Sequence, residues 1–339
     1  MNRKLLSLLL IFILIFAICG CKKSTEPPSG SSSDGSADLT QVYINPFTGE
    51  KISEQKALLR PVAVVINNLN AAQRVQTGVT GADIVYETEV EGGITRLLAV
   101  YKDISSVKEL GSIRSARVVF AELAESHSAI FVHHGIDPNY AADYVKKHNT
   151  DFDTNKKNTS YSFRKNNGLG REHTVYSSPD RLLKGFEKNN IEYRTQKDTP
   201  WCDFSLSERV PDMGTANSIS IKFSSSYISN FEFDAATALY TKNSARVNNK
   251  DYVTGQPYSF KNVFLLQTKI NDYPDGVHRK IELLSGEGYY FSLGAYEKIS
   301  WKKQEGQPIK FYSSQGGELK VNRGNSWVCI NSGQEPQIE

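Results

Sequence analysis

Residues 81–101, GADIVYETEVEGGITRLLAVY, contain two runs of β-branched and aromatic residues on either side of Gly92 and Gly93. Strand-forming runs that flank a two-residue glycine turn predict a β-hairpin. With that turn, Glu89 would lie opposite Arg96 in the paired strands. The hairpin therefore predicts a sheet near the start of the folded chain.

The alternation of side chains predicts two different faces for this hairpin. The face suited to a core would carry Ile84, Tyr86, Thr88, Val90, Leu97, Ala99 and Tyr101. The other face would carry Glu87, Glu89, Glu91 and Arg96. One interpretation is a solvated face, where a Glu89–Arg96 pair stabilises the sheet by less than about 1 kcal/mol. The other interpretation is a cleft wall, where two carboxylates hold a cation or act as acid and base.

The flanking sequence alternates between strand and helix patterns. An apolar, β-branched run predicts a buried strand within residues 58–66, and AIFVHH predicts another at 129–134. Amphipathic patterns predict helices at 116–127, 138–148 and 178–189, the last beginning with Ser178-Pro179-Asp180. Residues 42–195 are therefore expected to form a mixed α/β domain.

The pattern changes after residue 195. Residues 196–217 carry prolines and little periodicity, which predicts a linker. Residues 218–332 consist of short, often alternating segments separated by turn signals such as Pro274-Asp275-Gly276. This spacing predicts an antiparallel β-rich domain, either a small barrel or a sandwich. The predicted fold class is thus α+β, with the mixed α/β domain first.

The first twenty-one residues predict the location. A basic start precedes LLSLLLIFILIFAI (5–18), which is too short for an ordinary membrane-spanning helix and fits a signal peptide at residues 1–20. Ile18-Cys19-Gly20-Cys21 looks like a bacterial lipobox, so Cys21 would carry the lipid; an uncleaved anchor helix is the alternative. Residues 21–41 would be a flexible tether with a reach of about 25 Å. The body would then sit at the outer face of the cytoplasmic membrane.

Composition excludes several classes of protein. The 339 residues are 39% hydrophobic and 23% charged, which rules out wholesale disorder and coiled-coil arrays. A formal net charge of +3 gives no indication of bulk nucleic-acid binding. Four cysteines are too few for a disulfide scaffold, and spacing does not decide whether Cys202 and Cys329 are free.

The stretch GSIRSAR (111–117) is a candidate anion site because it directly precedes a predicted helix. Free N–H groups at a helix start, together with Arg114, Arg117 and the Ser112 hydroxyl, would make a phosphate seat. The alternative is that Ser115 only caps the helix while the arginines pair at the surface.

Histidines supply a second group of candidates. His133 and His134 are adjacent at the end of a strand, so at most one of them can enter a given cleft. A single histidine such as His134 or His173 could contact an anion or act as a base. No HxH, HExxH or CxxC pattern is present, and neither a nucleophile elbow nor a phosphate-binding loop occurs. No metal site is therefore predicted.

The motifs together resemble a known family. The lipobox, NPFTGE (45–50), RPVAVVINN (60–68), the 81–101 hairpin, GSIRSAR, HTVYSS (173–178) and the closing WKK…FYSSQGGELKVNRGNSWV look like the YerB lipoproteins of Gram-positive bacteria. The resemblance covers nearly all of residues 42–332. It implies two consecutive domains of unassigned function and a surface location, and it implies no settled activity.

A local resemblance concerns residues 93–117 alone. This stretch is similar to the strand–turn–strand core of LytR-CpsA-Psr proteins, which transfer glycopolymers from a polyprenyl-pyrophosphate carrier onto peptidoglycan. By position, Arg96 and Arg114 match two arginines that hold the pyrophosphate in that family. Thr95-Arg96 departs from it, since an acidic residue usually stands there. The resemblance implies a transferase in which Glu87 or Glu89 would hold Mg²⁺.

The residues thus favour a binding or scaffold role over catalysis. The first hypothesis is a cleft that binds a phosphorylated cell-wall precursor or an anionic polymer without any cofactor. Its lining would comprise Arg96, Arg114, Arg117, Ser112, His134 and His173. The alternatives are the Mg²⁺-dependent transferase and a scaffold for other envelope proteins. In each case the lipid anchor makes the membrane a partner, and nucleic acid is not one.

Overall fold

The computed structural model describes residues 41–156, 160–194, 200–244, 247 and 249–339. Residues 42–339 form one compact unit with its own buried cores. The predicted signal peptide, Cys21 lipidation site and all but the last residue of the tether lie outside the described residues. Within the described ranges, no helix is both long and apolar enough to cross a membrane.

The helices that the structure describes are short, and all of them lie before residue 190. They are α1 (Glu54–Ala57), α2 (Val118–Ser126), α3 (Ala141–His148) and α4 (Pro179–Lys188). Single 3₁₀ turns occur at Ala72–Val75, Val79–Gly81, Glu91–Gly93, Ile104–Ser106 and Arg171–His173. Helices α2, α3 and α4 lie within the ranges that the periodicity predicts.

Strands make up most of the remaining structure. In the N-terminal region they are β1 (Tyr43–Ile44), β2 (Lys51–Ile52), β3 (Val62–Asn67), β4 (Ile84–Glu89), β5 (Thr95–Tyr101), β6 (Leu110–Gly111), β7 (Ile130–His133), β8 (Thr150–Asp153), β9 (Phe163–Arg164) and β10 (Val175–Ser177). In the C-terminal region they are β11 (Asp203–Phe204), β12 (Gly214–Thr215), β13 (Ser218–Lys222), β14 (Ile228–Asp234), β15 (Leu239–Ser244), β16 (Ser259–Phe260), β17 (Asn262–Gln267), β18 (Ile270–Asp272), β19 (Arg279–Ile281), β20 (Ser285–Ser292), β21 (Ala295–Lys302), β22 (Lys310–Ser313), β23 (Lys320–Val321), β24 (Ser326–Asn331) and β25 (Gln337–Ile338).

One large sheet joins the two regions. Its strands run in the order β12-β21-β20-β17-β24-β4-β5-β3-β7-β8, with β22 paired to β21. Strand β24 pairs in parallel with β17 on one side and with β4 on the other. The last long strand of the chain therefore lies beside the N-terminal hairpin, and neither region completes this sheet alone.

A second sheet packs on one face of the central sheet. It is antiparallel and runs β16-β15-β14-β13-β25. Buried side chains of both sheets form one core cluster, which includes Val64, Leu97, Phe231, Tyr240 and Trp327. Helix α2 and the segment around Trp201 cover the opposite face and form a second cluster. The central sheet is therefore covered on both sides.

The predicted fold class is confirmed. The N-terminal region contains a mixed sheet with helices, and the C-terminal region adds antiparallel sheets. The segment predicted as a linker contributes strands β11 and β12, and its Trp201 is only 1% exposed. The residues from 200 onward in this segment are thus part of the folded body, packed against the second core cluster.

The hairpin forms, but its predicted register is wrong by one residue. Glu89 lies opposite Thr95, and Arg96 lies opposite Thr88. The reason is a three-residue turn, closed by a hydrogen bond from the Val90 N–H to the Ile94 carbonyl at 2.8 Å. Gly92 and Gly93 make this turn possible because both adopt positive φ angles, at 70° and 68°.

A shift of one residue exchanges the faces of one strand relative to the other. The side chains of Leu97, Ala99 and Tyr101 therefore join Val85 in the first core cluster, whereas Ile84, Tyr86 and Val90 join the second. The predicted grouping of these residues on one face is wrong. The interpretation as a solvated face is wrong too, because every residue of β4 and β5 is buried.

Candidate functional site

A cleft of about 430 Å³ lies beside strands β7 and β9. Its volume is within the range of about 300–1,000 Å³ that is typical of small-molecule sites. Three guanidinium groups lie among its polar side chains, which are Arg114, Ser115, His134, Asn155, Arg164, Arg171 and Glu172. We call it the arginine cleft.

Backbone hydrogen bonds hold the two walls of the arginine cleft together. The Arg114 N–H donates to the Val65 carbonyl at the end of β3, at 3.0 Å. The His134 N–H donates to the Arg114 carbonyl, also at 3.0 Å. These hydrogen bonds fix Arg114 and His134 side by side.

Arg114 has spare hydrogen-bonding capacity. One terminal nitrogen donates to the Glu172 carbonyl at 2.7 Å. Its Nε is buried and has no partner among the described residues. Burial lowers the pKa of Arg114 from its ordinary value, while the nearby Glu172 carboxylate opposes that shift. A guanidinium in this state would gain a hydrogen bond and a countercharge from an anion in the cleft.

The other two arginines come from the end of β9 and from the segment that follows it. The Arg164 guanidinium donates to the Arg171 carbonyl at 2.5 Å and to the Thr174 hydroxyl at 3.0 Å. Arg171 begins a 3₁₀ turn, and its side chain lines the cleft. Neither Arg164 nor Arg171 is among the site residues predicted from the sequence. The signal that could have indicated them is the cluster of basic residues in RKNNGLGR (164–171).

His134 contributes a neutral imidazole. Its Nδ1 lies 3.0 Å from the Thr154 hydroxyl. Burial lowers the pKa of His134 below 6.5; Asp153 opposes this shift, and Arg164 and Arg114 add to it. The ring is therefore uncharged at neutral pH, and it can donate or accept a hydrogen bond but adds no positive charge.

Arg96 and Arg117 form a separate cluster behind the arginine cleft. Arg117 Nε donates to Glu91 Oε2 at 3.0 Å, and Arg96 donates to the other Glu91 oxygen at 3.3 Å. Arg96 also donates to the Ser115 carbonyl at 2.8 Å and is 2% exposed. Burial, and then the charge of Arg117, lowers the pKa of Arg96 to about 9. These arginines support the backbone of the cleft but do not line it.

Ser112 and His173 are also supporting residues. Ser112 is fully buried, and its hydroxyl accepts from the Asn67 side-chain amide at 3.3 Å. The same amide lies 2.8 Å from His173 Nδ1. Since an amide NH₂ only donates, Nδ1 is the acceptor and the proton of the neutral ring is on Nε2. Neither residue is among those that line the cleft.

The helix start predicted as a phosphate seat is built differently. Helix α2 begins at Val118, and no side chain caps it. The Ser115 hydroxyl donates to the His134 carbonyl at 3.2 Å, so Ser115 does not cap α2. The cleft therefore depends on Arg114 from one segment and on Arg164 and Arg171 from another, and not on a helix dipole.

The predicted carboxylates all have partners of their own. Glu87 is 1% exposed and accepts four hydrogen bonds. The donors are Asn68 and Thr95 on Oε1, at 2.8 and 3.0 Å, and Ser229 and Trp327 on Oε2, at 2.8 and 3.0 Å. Glu89 lies 2.8 Å from Arg279 Nε. Burial raises the pKa of Glu89, and Arg279 opposes that shift.

The structure therefore does not bring Glu87, Glu89 or Glu91 into the arginine cleft. Among the residues it describes, no group of three or more histidine, cysteine or acidic side chains is arranged to hold a metal ion. Cys202 and Cys329, which spacing left undecided, are both free and buried. Burial raises the pKa of both thiols, so neither is an activated nucleophile.

Two family models match consecutive parts of this chain. Residues 47–192 match the model described as "Protein of unknown function (DUF3048) N-terminal domain", and residues 219–328 match the corresponding C-terminal domain. Together the two matches cover well over half of the chain. The predicted limits of 42–195 and 218–332 remain predictions.

A curated relative and a solved structure extend the comparison. The chain is 28% identical to "Putative lipoprotein YerB" of Bacillus subtilis over 341 residues, which covers 97% of this chain and 95% of the relative. The crystal structure of the YerB protein from Bacillus subtilis superposes with a TM-score of 0.76, covering 85% of this chain and 96% of that one. The predicted resemblance to the YerB lipoproteins is confirmed. The name of the relative is consistent with a membrane-anchored envelope protein.

Proposed function

The chain belongs to the DUF3048 family, and we propose that the arginine cleft of this member binds a phosphorylated or otherwise anionic ligand of the cell envelope. The observation that carries the proposal is Arg114, whose buried Nε has no partner while Arg164 and Arg171 line the same cleft. Three guanidinium groups against the single carboxylate of Glu172 leave the lining positive at neutral pH.

Guanidinium groups match the geometry of phosphate and carboxylate oxygens. They present several N–H donors in a fixed plane, and this arrangement matches two oxygens of a phosphate at once. The neutral His134 imidazole and the Ser115 hydroxyl would add uncharged hydrogen bonds beside them. The donor set therefore suits a phosphate or diphosphate group attached to a larger molecule that extends out of the cleft.

The envelope location is part of the same proposal. A named lipoprotein relative that covers nearly the whole chain supports the predicted anchor at Cys21. Lipidation there would hold the body at the outer face of the cytoplasmic membrane, within reach of phosphorylated cell-wall precursors and anionic polymers.

We propose binding without turnover. The carboxylates that a metal-dependent transferase would use are engaged elsewhere: Glu87 by four donors, Glu89 by Arg279 and Glu91 by two arginines. The side chains that line the arginine cleft can hold and orient an anion. Glu172 is the one carboxylate among them.

The test is calorimetric titration of residues 42–339 with pyrophosphate and with geranyl pyrophosphate, each with and without Mg²⁺. The key variant is Arg114→Ala, and its matched control is Arg117→Ala, whose guanidinium is engaged with Glu91. A charge-assisted hydrogen bond contributes about 1.5–3 kcal/mol, so Arg114→Ala should weaken binding by about 10- to 100-fold. Arg117→Ala should change the affinity far less.

The same titration can overturn the proposal. Equal losses in the two variants would mean that binding does not depend on the arginine cleft in particular, and would contradict the proposal. No saturable binding to the wild-type protein would remove the proposal for phosphates and would favour the scaffold alternative. A requirement for Mg²⁺ would favour the transferase alternative.

A further inference from the structure

The described residues form a second and larger cleft, of about 1280 Å³. Its walls come from the end of β1 and the residues after it, β11 and the residues before it, the start of β20, and the connection between β21 and β22. It shares no lining residue with the arginine cleft. Its lining includes Ile44, Trp201, Phe204, Leu284 and Lys303. We call it the tryptophan cleft.

Trp201 provides a buried donor that the fold does not use. Its side chain is 1% exposed and packs edge-to-face on Phe264 and Phe311, with ring centroids 5.6 and 5.4 Å away. Its indole Nε1 has no hydrogen-bond partner in the described part of the chain. A buried N–H without an acceptor costs free energy, so this wall of the cleft favours a ligand that brings an oxygen.

Lys303 places a positive charge in the same cleft. It is 7% exposed, and its Nζ contacts the Gln304 carbonyl at 3.4 Å. Within the described ranges, no carboxylate lies within the 4.0 Å of an ion pair with Lys303. Burial lowers the pKa of Lys303, and the more distant Glu122, Glu125 and Glu305 oppose that shift.

Apolar side chains stand at the mouth of the tryptophan cleft. Leu284 is 69% exposed and Ile44 is 44% exposed, which is unusual for residues of this size. Phe204 lies further along the same lining. These surfaces would be covered by a hydrocarbon chain.

The charges at the rim are mixed, and they restrict the ligand. Lys302 and Lys310 are exposed lining residues, and so are Glu305 and Glu318. Asp203 is already paired with Lys320. A highly charged polyanion would be repelled by these carboxylates, so the mixed rim favours a ligand with a single anionic group.

We propose that the tryptophan cleft binds an anionic amphiphile, with its phosphate or carboxylate at Lys303 and the Trp201 N–H and its hydrocarbon along Phe204, Leu284 and Ile44. The position of the cleft fits a membrane source for such a molecule. Ile44 follows the predicted tether from Cys21 directly, and that tether reaches only about 25 Å. The proposal does not depend on the function of the arginine cleft.

The experiment titrates residues 42–339 with octyl phosphate below its micelle concentration and follows tryptophan fluorescence and heat. Methyl phosphate carries the head alone, and 1-octanol carries the chain alone. Octyl phosphate should bind saturably, and each half-molecule should bind at least about tenfold more weakly, because both parts contribute. Equal binding of either half-molecule, or no binding of octyl phosphate, would overturn the proposal.

Three variants locate the ligand. Trp201→Phe keeps the aromatic packing but removes the N–H, and Lys303→Met keeps the length but removes the charge. Leu284→Ser changes an exposed side chain, so its folding is not at risk. Each should weaken octyl phosphate binding by about fivefold or more, and wild-type affinity in all three would refute the site. All titrations are repeated in an Arg114→Ala background, which removes the phosphate site proposed for the arginine cleft. The three variants should still weaken octyl phosphate binding in that background, which separates this proposal from the first.

The two sources of such a ligand are distinguished by two further titrations, with dihexanoyl phosphatidic acid and with geranyl phosphate. Both molecules carry the shared chemistry of a phosphate on an apolar chain. Tighter binding of the first indicates a membrane phospholipid, and tighter binding of the second indicates a prenyl carrier.

Discussion

The indole Nε1 of Trp327 donates a hydrogen bond to Oε2 of Glu87 at 3.0 Å, across 240 positions of the chain. Trp327 lies on β24 and Glu87 lies on β4, which are neighbouring parallel strands. The same carboxylate also accepts from Ser229, at 2.8 Å. Glu87, on the N-terminal hairpin, is thus hydrogen-bonded to β24 of the central sheet and to β14 of the second sheet.

Replacing Glu87 should destabilise the whole body. Glu87→Ala leaves four buried donors without an acceptor, and Glu87→Gln turns an amide NH₂ toward donors that need an oxygen. We expect each change to lower the free energy of unfolding by about 2–4 kcal/mol, the range for broken buried polar networks. Urea denaturation of residues 42–339 measures this. Glu187→Gln changes an exposed side chain and is the control. Effects of both Glu87 variants as small as that of Glu187→Gln would contradict the prediction.

The two regions should not fold independently. A fragment of residues 42–195 lacks β24, so the β4 edge of its sheet and the core face under the second sheet are uncovered. We expect this fragment to show no cooperative unfolding transition by circular dichroism. Adding residues 200–339 as a separate chain should restore the transition. A cooperative transition for the fragment alone would show that the shared sheet is dispensable.

Local structure could be predicted from the sequence, whereas the pairing of distant strands could not. Helices α2, α3 and α4 follow from amphipathic periodicity, and the hairpin at 81–101 follows from its glycine turn. The parallel pairing of β24 with β4 has no local signal, because its partners are separated by more than two hundred residues. The amino-acid sequence of β24 alone indicates a strand, but it does not indicate which strand it pairs with.

The register of the hairpin shows how a small local difference changes a site. The sequence permits either a two-residue or a three-residue glycine turn. The three-residue turn moves Glu87 onto the core face with Leu97 and leaves Arg96 on the other face. Of the predicted arginine site, only Arg114 and His134 line the cleft, while Arg164 comes from a segment without a recognisable motif.

Glu91 should stabilise the protein in a pH-dependent manner. Burial alone would raise its pKa, but the hydrogen bond from Arg117 and the charges of Arg96 and Arg117 lower it to about 2. Since the folded pKa is below the ordinary 4.5, this stabilisation is present above pH 4.5 and is lost as the pH falls toward 2.

The variant Glu91→Gln tests this sign. At pH 7 it should lower the free energy of unfolding by about 1–3 kcal/mol relative to the wild type, and the difference should shrink as the pH falls from 4.5. Urea denaturation at a series of pH values measures the difference. A difference that stays constant down to pH 3 would mean that Glu91 acts by packing and not through its charge.

Glu122 on α2 should have the opposite pH dependence. Burial raises its pKa to about 7; Lys303 opposes this shift, and the charges of Glu125 and Glu305 add to it. The folded protein therefore binds this proton more tightly than the unfolded chain does between pH 4.5 and 7. The free energy of unfolding should thus decrease as the pH rises through that window, because the carboxylate ionises in a site that disfavours its charge.

The variant Glu122→Gln removes this penalty, since a glutamine of the same shape cannot ionise. At pH 8 it should be more stable than the wild type by about 1–3 kcal/mol, and at pH 4.5 the two should be equal. Thermal and urea denaturation at both pH values measure the difference, with exposed Glu187→Gln as the matched control. A variant that is less stable than the wild type at pH 8 would mean that ionised Glu122 stabilises the fold through Lys303, and that the charge of Lys303 is therefore not available to a ligand in the tryptophan cleft.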